Sequence, residues 1–320
     1  MLIQLFIAAS ILFYSVLPSY AQLYPNKPAA LNPIFEYNGN ILPLDNTMST
    51  VGMTVGYGNK FNSKFSIVSD STAPVDGSLI MRYTIPSGQL SGTDNGQLNF
   101  WNTAGPRVPV NAYYEAMWIK VVGNGTNFEV AGDGPWKLGG FWGVGDPPGG
   151  YSGGMYMLVD RGNDLGTITN TSTDPDTVNQ LSSVFNLAMV RQSTSSELVR
   201  REGGGQLLLG VWYRLEFYFV INDIGSANGI MKVWLTTYNN AGAITAGPTL
   251  VINWSNWRYR NAAYPHAFWV RHYSPTSGGR MPNTKTRDDF LHIAKFAGFG
   301  SVAGGGDITK PTPPTGLTAQ

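Results

Sequence analysis

The chain of 320 residues contains no cysteine. This absence excludes disulfides, thiol nucleophiles and zinc sites built on cysteine. Charged residues are also scarce, at 13% of the chain, against a usual share of about 25%. The 21 Lys and Arg nearly balance the 20 Asp and Glu, which gives a formal net charge of +1. A general affinity for nucleic acid or for acidic membrane surfaces is therefore not expected.

The sequence also lacks any convincing long helix, because 39 Gly and 20 Pro interrupt it throughout and both residues oppose helix formation. Hydrophobic residues make up 42% and aromatic residues 12% of the chain. That much apolar surface can drive a core, so intrinsic disorder is excluded. These proportions favour a globular protein built from β-strands.

The N-terminus has the pattern of a secretory signal peptide. Residues 2–17 are almost entirely apolar, and the small residues Ser19 and Ala21 fit the positions before a cleavage site. We therefore expect a secreted, extracellular protein whose mature chain begins at Gln22. The run is short for a membrane span, but no Lys or Arg precedes it. A buried N-terminal helix or an uncleaved anchor is the alternative.

Strand-like segments with period-two alternation recur along the rest of the chain. In residues 212–221, Tyr213, Leu215 and Phe217 fall on one face, with Arg214 and Glu216 on the other. An Asn-Gly pair in the turn at 222–229 predicts a hairpin with residues 230–236. The remaining predicted strands are residues 65–68, 79–83, 114–121, 155–159, 185–190, 249–252, 267–273 and 290–296. Many antiparallel strands without helices predict an all-β sandwich, most simply a jelly roll.

These patterns divide the chain into four parts. They are a signal peptide at 1–21, an N-terminal extension at 22–37, a β-jelly-roll domain at 38–303 and a tail at 304–320. The tail is rich in Pro, Thr and Gly, as extended linkers are.

The stretch from residue 134 to 296 resembles the concanavalin A-like jelly rolls of polysaccharide lyases, especially families 14 and 20. The resemblance is one of layout and covers about half of the chain. Lys137 stands where those proteins have a lysine in a Gly-Gly-Lys-Leu segment, and Tyr156 or Arg161 stands in for later site residues of family 14. The segments that carry the resemblance are 135–141 (PWKLGGF), 210–214 (GVWYR), 228–234 (NGIMKVW), 268–273 (FWVRHY), 278–279 (GG) and 288–290 (DDF).

This resemblance implies cleavage of a uronate-containing polysaccharide by β-elimination. Such an enzyme neutralises the sugar carboxylate with a cation, removes the acidified C5 proton and protonates the leaving oxygen. The candidate catalytic residues are Lys137, Tyr156, His272 and Tyr273. The candidate substrate-binding residues are Arg161, Arg191, Trp254, Trp257 and Arg271. Ordinary side chains at solvated strand or sheet-edge positions are the competing interpretation for each.

The run at 253–260 (NWSNWRYR) is typical of sugar recognition. Pyranose rings stack their apolar C–H faces on aromatic rings, while Asn and Arg bind hydroxyls and carboxylates. Trp254 and Trp257 are three residues apart, so strict alternation predicts opposite faces, one inward and one exposed.

Other functional classes fit the residues less well. A glycosidase needs two neighbouring carboxylates, and neither Glu115 nor Glu216 has an acid two residues away. The acidic turns at 160–164 and 174–176 allow a structural Ca²⁺, with plain turn chemistry as the alternative. We expect an acidic polysaccharide as partner, no nucleic acid, no membrane span and a monomer. A non-catalytic lectin-like module and a structural adhesion domain remain the alternatives to a lyase.

Overall fold

The computed structural model describes most of the predicted core. The described residues are 23–38, 54–56, 65–85, 87–89, 97–99, 110–123, 128–130, 136–143, 152–159, 180–182, 184–192, 203–220, 223, 226, 228–257, 268–273, 284–285 and 287–302. The expected signal peptide at 1–21 and the tail at 304–320 lie outside them. So do Arg161 and both acidic turns.

Every described element is a β-strand. In chain order these are β1 (Asn32–Asn38), β2 (Thr54–Gly56), β3 (Phe65–Ser69), β4 (Leu79–Ile85), β5 (Gly88–Gln89), β6 (Gln97–Asn99), β7 (Val110–Val122), β8 (Phe128–Val130), β9 (Trp136–Gly143), β10 (Ser152–Val159), β11 (Gln180–Ser182), β12 (Val184–Gln192), β13 (Gly203–Leu208), β14 (Trp212–Val220), β15 (Gly229–Tyr238), β16 (Ile244–Trp257), β17 (Phe268–Tyr273), β18 (Thr284–Lys285) and β19 (Asp289–Val302).

Two large antiparallel sheets organise these strands. The eight-stranded sheet has the order β16-β15-β14-β7-β19-β4-β3, with β1 added alongside β19. The seven-stranded sheet has the order β13-β12-β10-β9-β17-β6-β2. Each predicted strand overlaps a strand of one of these sheets, and the predicted hairpin is β14–β15. The fold is the predicted β-sandwich of the concanavalin A-like jelly-roll type.

The contact between the sheets identifies their inner faces. A Cβ at Gly205 in β13 would meet Leu235 at 3.1 Å and Val251 at 3.4 Å, and both belong to the other sheet. Next to it, Leu207 is fully buried while Leu208 is 46% exposed. The inner face of the seven-stranded sheet is therefore the face that carries Gly205 and Leu207.

The inner face of the eight-stranded sheet is apolar and tightly packed, as its alternation predicts. Across the sheet, Leu235 pairs with Leu215, Leu215 with Met117, and Met117 with Phe296. Met231 and Val233 are fully buried. Each such side chain stabilises the sandwich by about 1.5–3 kcal/mol relative to exposure.

At the centre of the eight-stranded sheet the outer face is buried as well, which the sequence did not predict. All nine residues of β14 are buried, including the two charged ones. Residues 23–31, which we call the N-terminal strap, cover this face. Tyr24 in the strap packs edge-on against Trp118 and Phe299, with ring centroids 5.8 and 4.9 Å apart.

Candidate functional site

The seven-stranded sheet brings together most of the residues that the sequence singled out. Lys137 in β9 and Tyr156 in β10 are Cα partners. The register of this pair shifts between Met155 and Tyr156, so that β9 contains one additional residue, Leu138. Because directly opposed residues of an antiparallel pair share a face, positions 137 and 156 lie on the same face.

Strand β17 lies on the other side of β9. Arg271 is the Cα partner of Gly140, and His272 is that of Gly139. Strand β6 continues the row on the far side, where Arg271 pairs with Asn99 and Tyr273 with Gln97. Positions 137, 156, 271 and 273 are thus distributed over three adjacent strands at the centre of one sheet.

The register divides the candidates between the two faces. Buried Leu207 pairs with Phe185, and alternation from Phe185 along β12 places position 191 on the inner face. Arg191 pairs with Gly153, and Gly153 with Phe141, so Gly139 and its partner, position 272, belong to the same inner face. Positions 137, 156, 271 and 273 have the opposite parity and lie on the outer face.

The bulge at Leu138 decides this division. Without the additional residue, positions 137 and 139 would share a face by simple alternation, and 137 would join 272. A bulge changes the parity of a strand at one point. Sequence alternation alone groups these residues differently, because no local feature of the segment around Leu138 predicts the extra residue.

The two tryptophans of the run at 253–260 belong to a different sheet. They lie on β16, the edge strand of the eight-stranded sheet. Trp254 pairs with Met231, and Trp257 pairs with Gly229. Positions 229 and 231 lie on one face of β15. Because the register shifts between these two pairs, the two tryptophans lie opposite positions on the same face although they are three residues apart. Their odd spacing therefore does not separate them onto opposite faces, and they do not join the row on the seven-stranded sheet.

The seven strands of this sheet contain no Asp or Glu. They contain Lys137, Arg191, Arg271 and His272. The outer-face positions of these strands carry two basic residues, at 137 and 271, and two tyrosines, at 156 and 273. Basic residues without acids in these strands are electrostatically complementary to a polyanion, and the seven described strands provide no carboxylate pair of the kind that a glycosidase needs.

A second cluster of ionisable side chains lies on the outer face of the eight-stranded sheet. Lys120 forms an ion pair with Asp70. Its Nζ also donates a hydrogen bond to Thr72 Oγ1 at 2.9 Å. His292 Nδ1 lies 2.9 Å from Asp70 Oδ2. Trp212 Nε1 donates to Thr72 Oγ1 at 3.0 Å. Because a carboxylate only accepts hydrogen bonds, His292 donates from Nδ1.

Burial and partners shift two pKa values in this cluster. Burial would raise the pKa of Asp70, but hydrogen bonds from Lys120, Thr72 and His292, with the Lys120 charge, hold it well below its usual range. Burial, aided by the charges of Lys120 and Arg82, lowers the pKa of His292 despite its bond to Asp70. Lys120, Asp70 and His292 are at most 13% exposed, so the cluster holds the loop at 70–78 onto the sheet and offers no open surface.

Asp70→Asn is expected to lower the free energy of unfolding at pH 7 by about 1.5–3 kcal/mol, the contribution of hydrogen bonds to charged groups. A carboxyl whose folded pKa is depressed stabilises the fold above its unfolded pKa of about 3.9 and loses that contribution below it. Urea unfolding of both proteins from pH 7 to pH 3 should therefore show their difference shrinking below about pH 4. A difference independent of pH would contradict the ion pair.

Sequence reasoning missed this cluster, although one signal was available. Lys120 interrupts the apolar run MWIKVV, and His292 interrupts the apolar run FLHIA. A charged residue within an apolar run needs a buried partner. The partner of both residues, Asp70, lies in a loop 50 residues before Lys120. No sequence period connects Asp70 with either residue.

No group of three or more His, Asp or Glu that could hold a metal ion occurs among the residues that the structure describes. Within the same ranges, no helix is long and apolar enough to cross a membrane.

Comparison with known proteins identifies several solved structures with the same fold. A marine PL-14 alginate lyase from Aplysia kurodai has a TM-score of 0.56 and 10% identity, covering 84% of this chain and 100% of that chain. Alginate lyase Aly36B has a TM-score of 0.53 and 14% identity, covering 83% and 93%. A doubly substituted form of Aly36B, solved in complex with an alginate trisaccharide, has a TM-score of 0.53 and 11% identity, covering 82% and 93%.

No protein-family model and no curated protein matches the chain. The three solved structures agree with the jelly-roll layout that the lyase resemblance implied, and at identities this low the agreement concerns the fold.

Proposed function

We propose that the protein is a secreted polysaccharide lyase that cleaves a uronate-containing glycan by β-elimination. The observation that carries the proposal is the outer face of the seven-stranded sheet. Its central strands place a lysine directly opposite a tyrosine, with an arginine one strand away, and none of its seven strands contains a carboxylate.

The outer-face positions match the requirements of the reaction. Arg271 and Lys137 supply positive charge for the substrate carboxylate, which acidifies the proton at C5. Tyr156, as phenolate, takes that proton. The electrons of the C5–H bond then form the C4–C5 double bond, the C4–O4 bond breaks, and the leaving O4 receives a proton from Tyr273 or Lys137.

The fold neighbours support the substrate class. Both alginate lyases named above act on a polyuronate, and one was solved with an alginate trisaccharide. A polyuronate carries one negative charge on each residue, which suits a face whose strands contain two basic residues and no Asp or Glu. We therefore propose an acidic polysaccharide of the alginate or glucuronan type as substrate.

Secretion is part of the proposal and depends on the N-terminal pattern. The apolar run at 2–17 with Ser19 and Ala21 supports cleavage before Gln22. An extracellular location also places the enzyme where polymeric glycans are accessible.

The test is an ultraviolet assay for the unsaturated product. The purified secreted chain is mixed with alginate, polyglucuronate, hyaluronan, pectate and ulvan, with and without Ca²⁺. We expect absorbance to rise with at least one polyuronate, because the C4–C5 double bond conjugated to the carboxylate forms only by elimination. Lys137→Ala should remove the rise, whereas Lys232→Ala, on the eight-stranded sheet, should leave it intact.

The same samples separate the alternatives. A flat trace on all five polymers would rule out the lyase. If one of the polymers nevertheless retarded the protein in an affinity gel, the protein would be a lectin-like glycan-binding module. No rise and no retardation would favour a structural surface or adhesion domain.

A further inference from the structure

A pair of tryptophans on the seven-stranded sheet has no role in the proposed reaction. Trp142 in β9 and Trp269 in β17 are Cα partners. Trp142 is two residues beyond Gly140 and Trp269 two residues before Arg271, so both positions have the parity of the outer face. Ser152 in β10 pairs with Trp142 on the other side and extends this row across a third strand.

The neighbouring row of the sheet contains the arginine. Its Cα partners run in order across five strands: Gly154, Gly140, Arg271, Asn99 and Thr54. Strands lie about 4.8 Å apart and rise about 3.4 Å per residue. The tryptophan row therefore lies about 7 Å from the arginine row, which is close to the width of one sugar ring.

Two adjacent tryptophans at outer positions require an explanation. The opposite face of these strands faces the other sheet, so positions 142 and 269 do not belong to the core between the two sheets. Aromatic side chains are enriched where proteins contact ligands, and a pyranose ring offers an apolar C–H face of matching size. The cations at 137 and 271 on the same face make an acidic glycan the complementary occupant.

We infer that Trp142 and Trp269 form a stacking platform for one sugar ring of the bound polysaccharide, and that Arg271 holds the carboxylate of that ring or of the next one. The inference rests on the proposed function and assigns the polymer a position across the strands, over the two glycines at 140 and 154. Stacking does not depend on the charge of the sugar, whereas binding by the arginine does. The platform therefore contributes affinity and Arg271 contributes selectivity for acidic glycans.

The test is affinity gel electrophoresis of the full secreted chain in sodium alginate, polyglucuronate and a neutral β-glucan. We expect Trp142→Ala and Trp269→Ala each to raise the dissociation constant for the polyuronate about tenfold, equivalent to about 1.4 kcal/mol. Trp→Phe at either position should restore most of the affinity. Arg271→Gln should weaken binding of the polyuronates and reduce the dependence of the remaining affinity on salt, because Lys137 is then the one basic residue left at the outer-face positions of these strands.

Controls distinguish this inference from the proposed function. Gln206→Ala changes an exposed outer position on the edge strand β13 and should bind as the parent does. Urea unfolding of each variant shows whether it has folded. A parent chain that cleaves and binds a polyuronate, with both Trp→Ala variants folded and binding equally well, would overturn the platform and leave the lyase standing. A parent that neither binds nor cleaves any polymer would overturn both.

Discussion

Replacing Arg214 by methionine is expected to lower the free energy of unfolding by about 3–5 kcal/mol, the usual cost of removing one member of a buried ion pair. Arg214 is 2% exposed and Glu216 is fully buried. Arg214 Nε donates to Glu216 Oε2 at 3.0 Å. Loss of the guanidinium would leave the carboxylate of Glu216 charged and without its cation inside the protein.

The arginine also holds the N-terminal strap. Its Nη1 donates to the carbonyl of Leu23 at 3.1 Å, and Glu216 accepts bonds from Asn26 Nδ2 at 3.1 Å and from the hydroxyl of Tyr114 at 2.5 Å. The variant should therefore release residues 23–26 at denaturant concentrations below the global transition. Hydrogen exchange of the strap amides, measured beside urea unfolding, would detect that release.

The control for this prediction is a double variant. Arg214→Met with Glu216→Leu removes both charges and replaces them with apolar groups of similar size. The double variant should therefore regain part of the unfolding free energy lost in Arg214→Met, because replacing a whole buried ion pair with apolar residues often costs little stability. Lys232→Met, on β15, removes a positive charge from the same sheet and should change stability by less than about 1 kcal/mol. A loss equal in Arg214→Met and Lys232→Met would contradict the role of the buried pair.

The second large effect concerns the proposed reaction. Tyr156→Phe should lower kcat on the cleaved polyuronate by about 10²- to 10⁴-fold, the usual contribution of a positioned proton-transfer group. The substitution removes one oxygen and keeps the ring, so the dissociation constant for the polymer should change little. Initial rates of absorbance increase at saturating polymer, with affinity gels at the same pH, would separate the two quantities.

A matched comparison is available on the other sheet. Tyr213→Phe removes the hydroxyl that accepts a bond from the Leu208 amide at 2.9 Å, so it should lower stability slightly and leave kcat unchanged. If Tyr156→Phe retained the parent rate, Tyr156 would not transfer the proton. The proposal would then require Tyr273 or Lys137 in that role, and their variants would test it.

Much of the fold could be predicted because strand periodicity is local. The alternation in residues 212–221 correctly placed Tyr213, Leu215 and Phe217 on one face of a strand, and the Asn-Gly turn correctly placed the hairpin. Two-residue periodicity and turn chemistry are properties of a few neighbouring residues, so they can be recognised without knowing the rest of the chain.

The candidate site was only partly predictable, because it depends on the pairing of strands that are distant in sequence. Lys137, Tyr156 and Arg271 were recognised as candidates from their residue types and from the family resemblance. Their grouping on one face depends on which strands are neighbours and on one additional residue at Leu138. Pairing between strands distant in sequence produces no local sequence pattern. The strand register was therefore needed to show that Arg191 and His272 lie on the opposite face from Lys137, Tyr156 and Arg271.

The sequence by itself thus determined the class of fold, the positions of ten strands, and Lys137, Tyr156 and Arg271 as candidate site residues. Only the tertiary structure decided that Arg214 and Glu216 are buried beneath the strap, that Asp70 pairs with Lys120 and His292, and that Trp142 lies beside Trp269. Each of these depends on partners far apart in the chain, such as Asn26 and Glu216, separated by 190 residues. Long-range contacts of this kind form when the sheets assemble, and the energetics of burial then select them over the local alternatives.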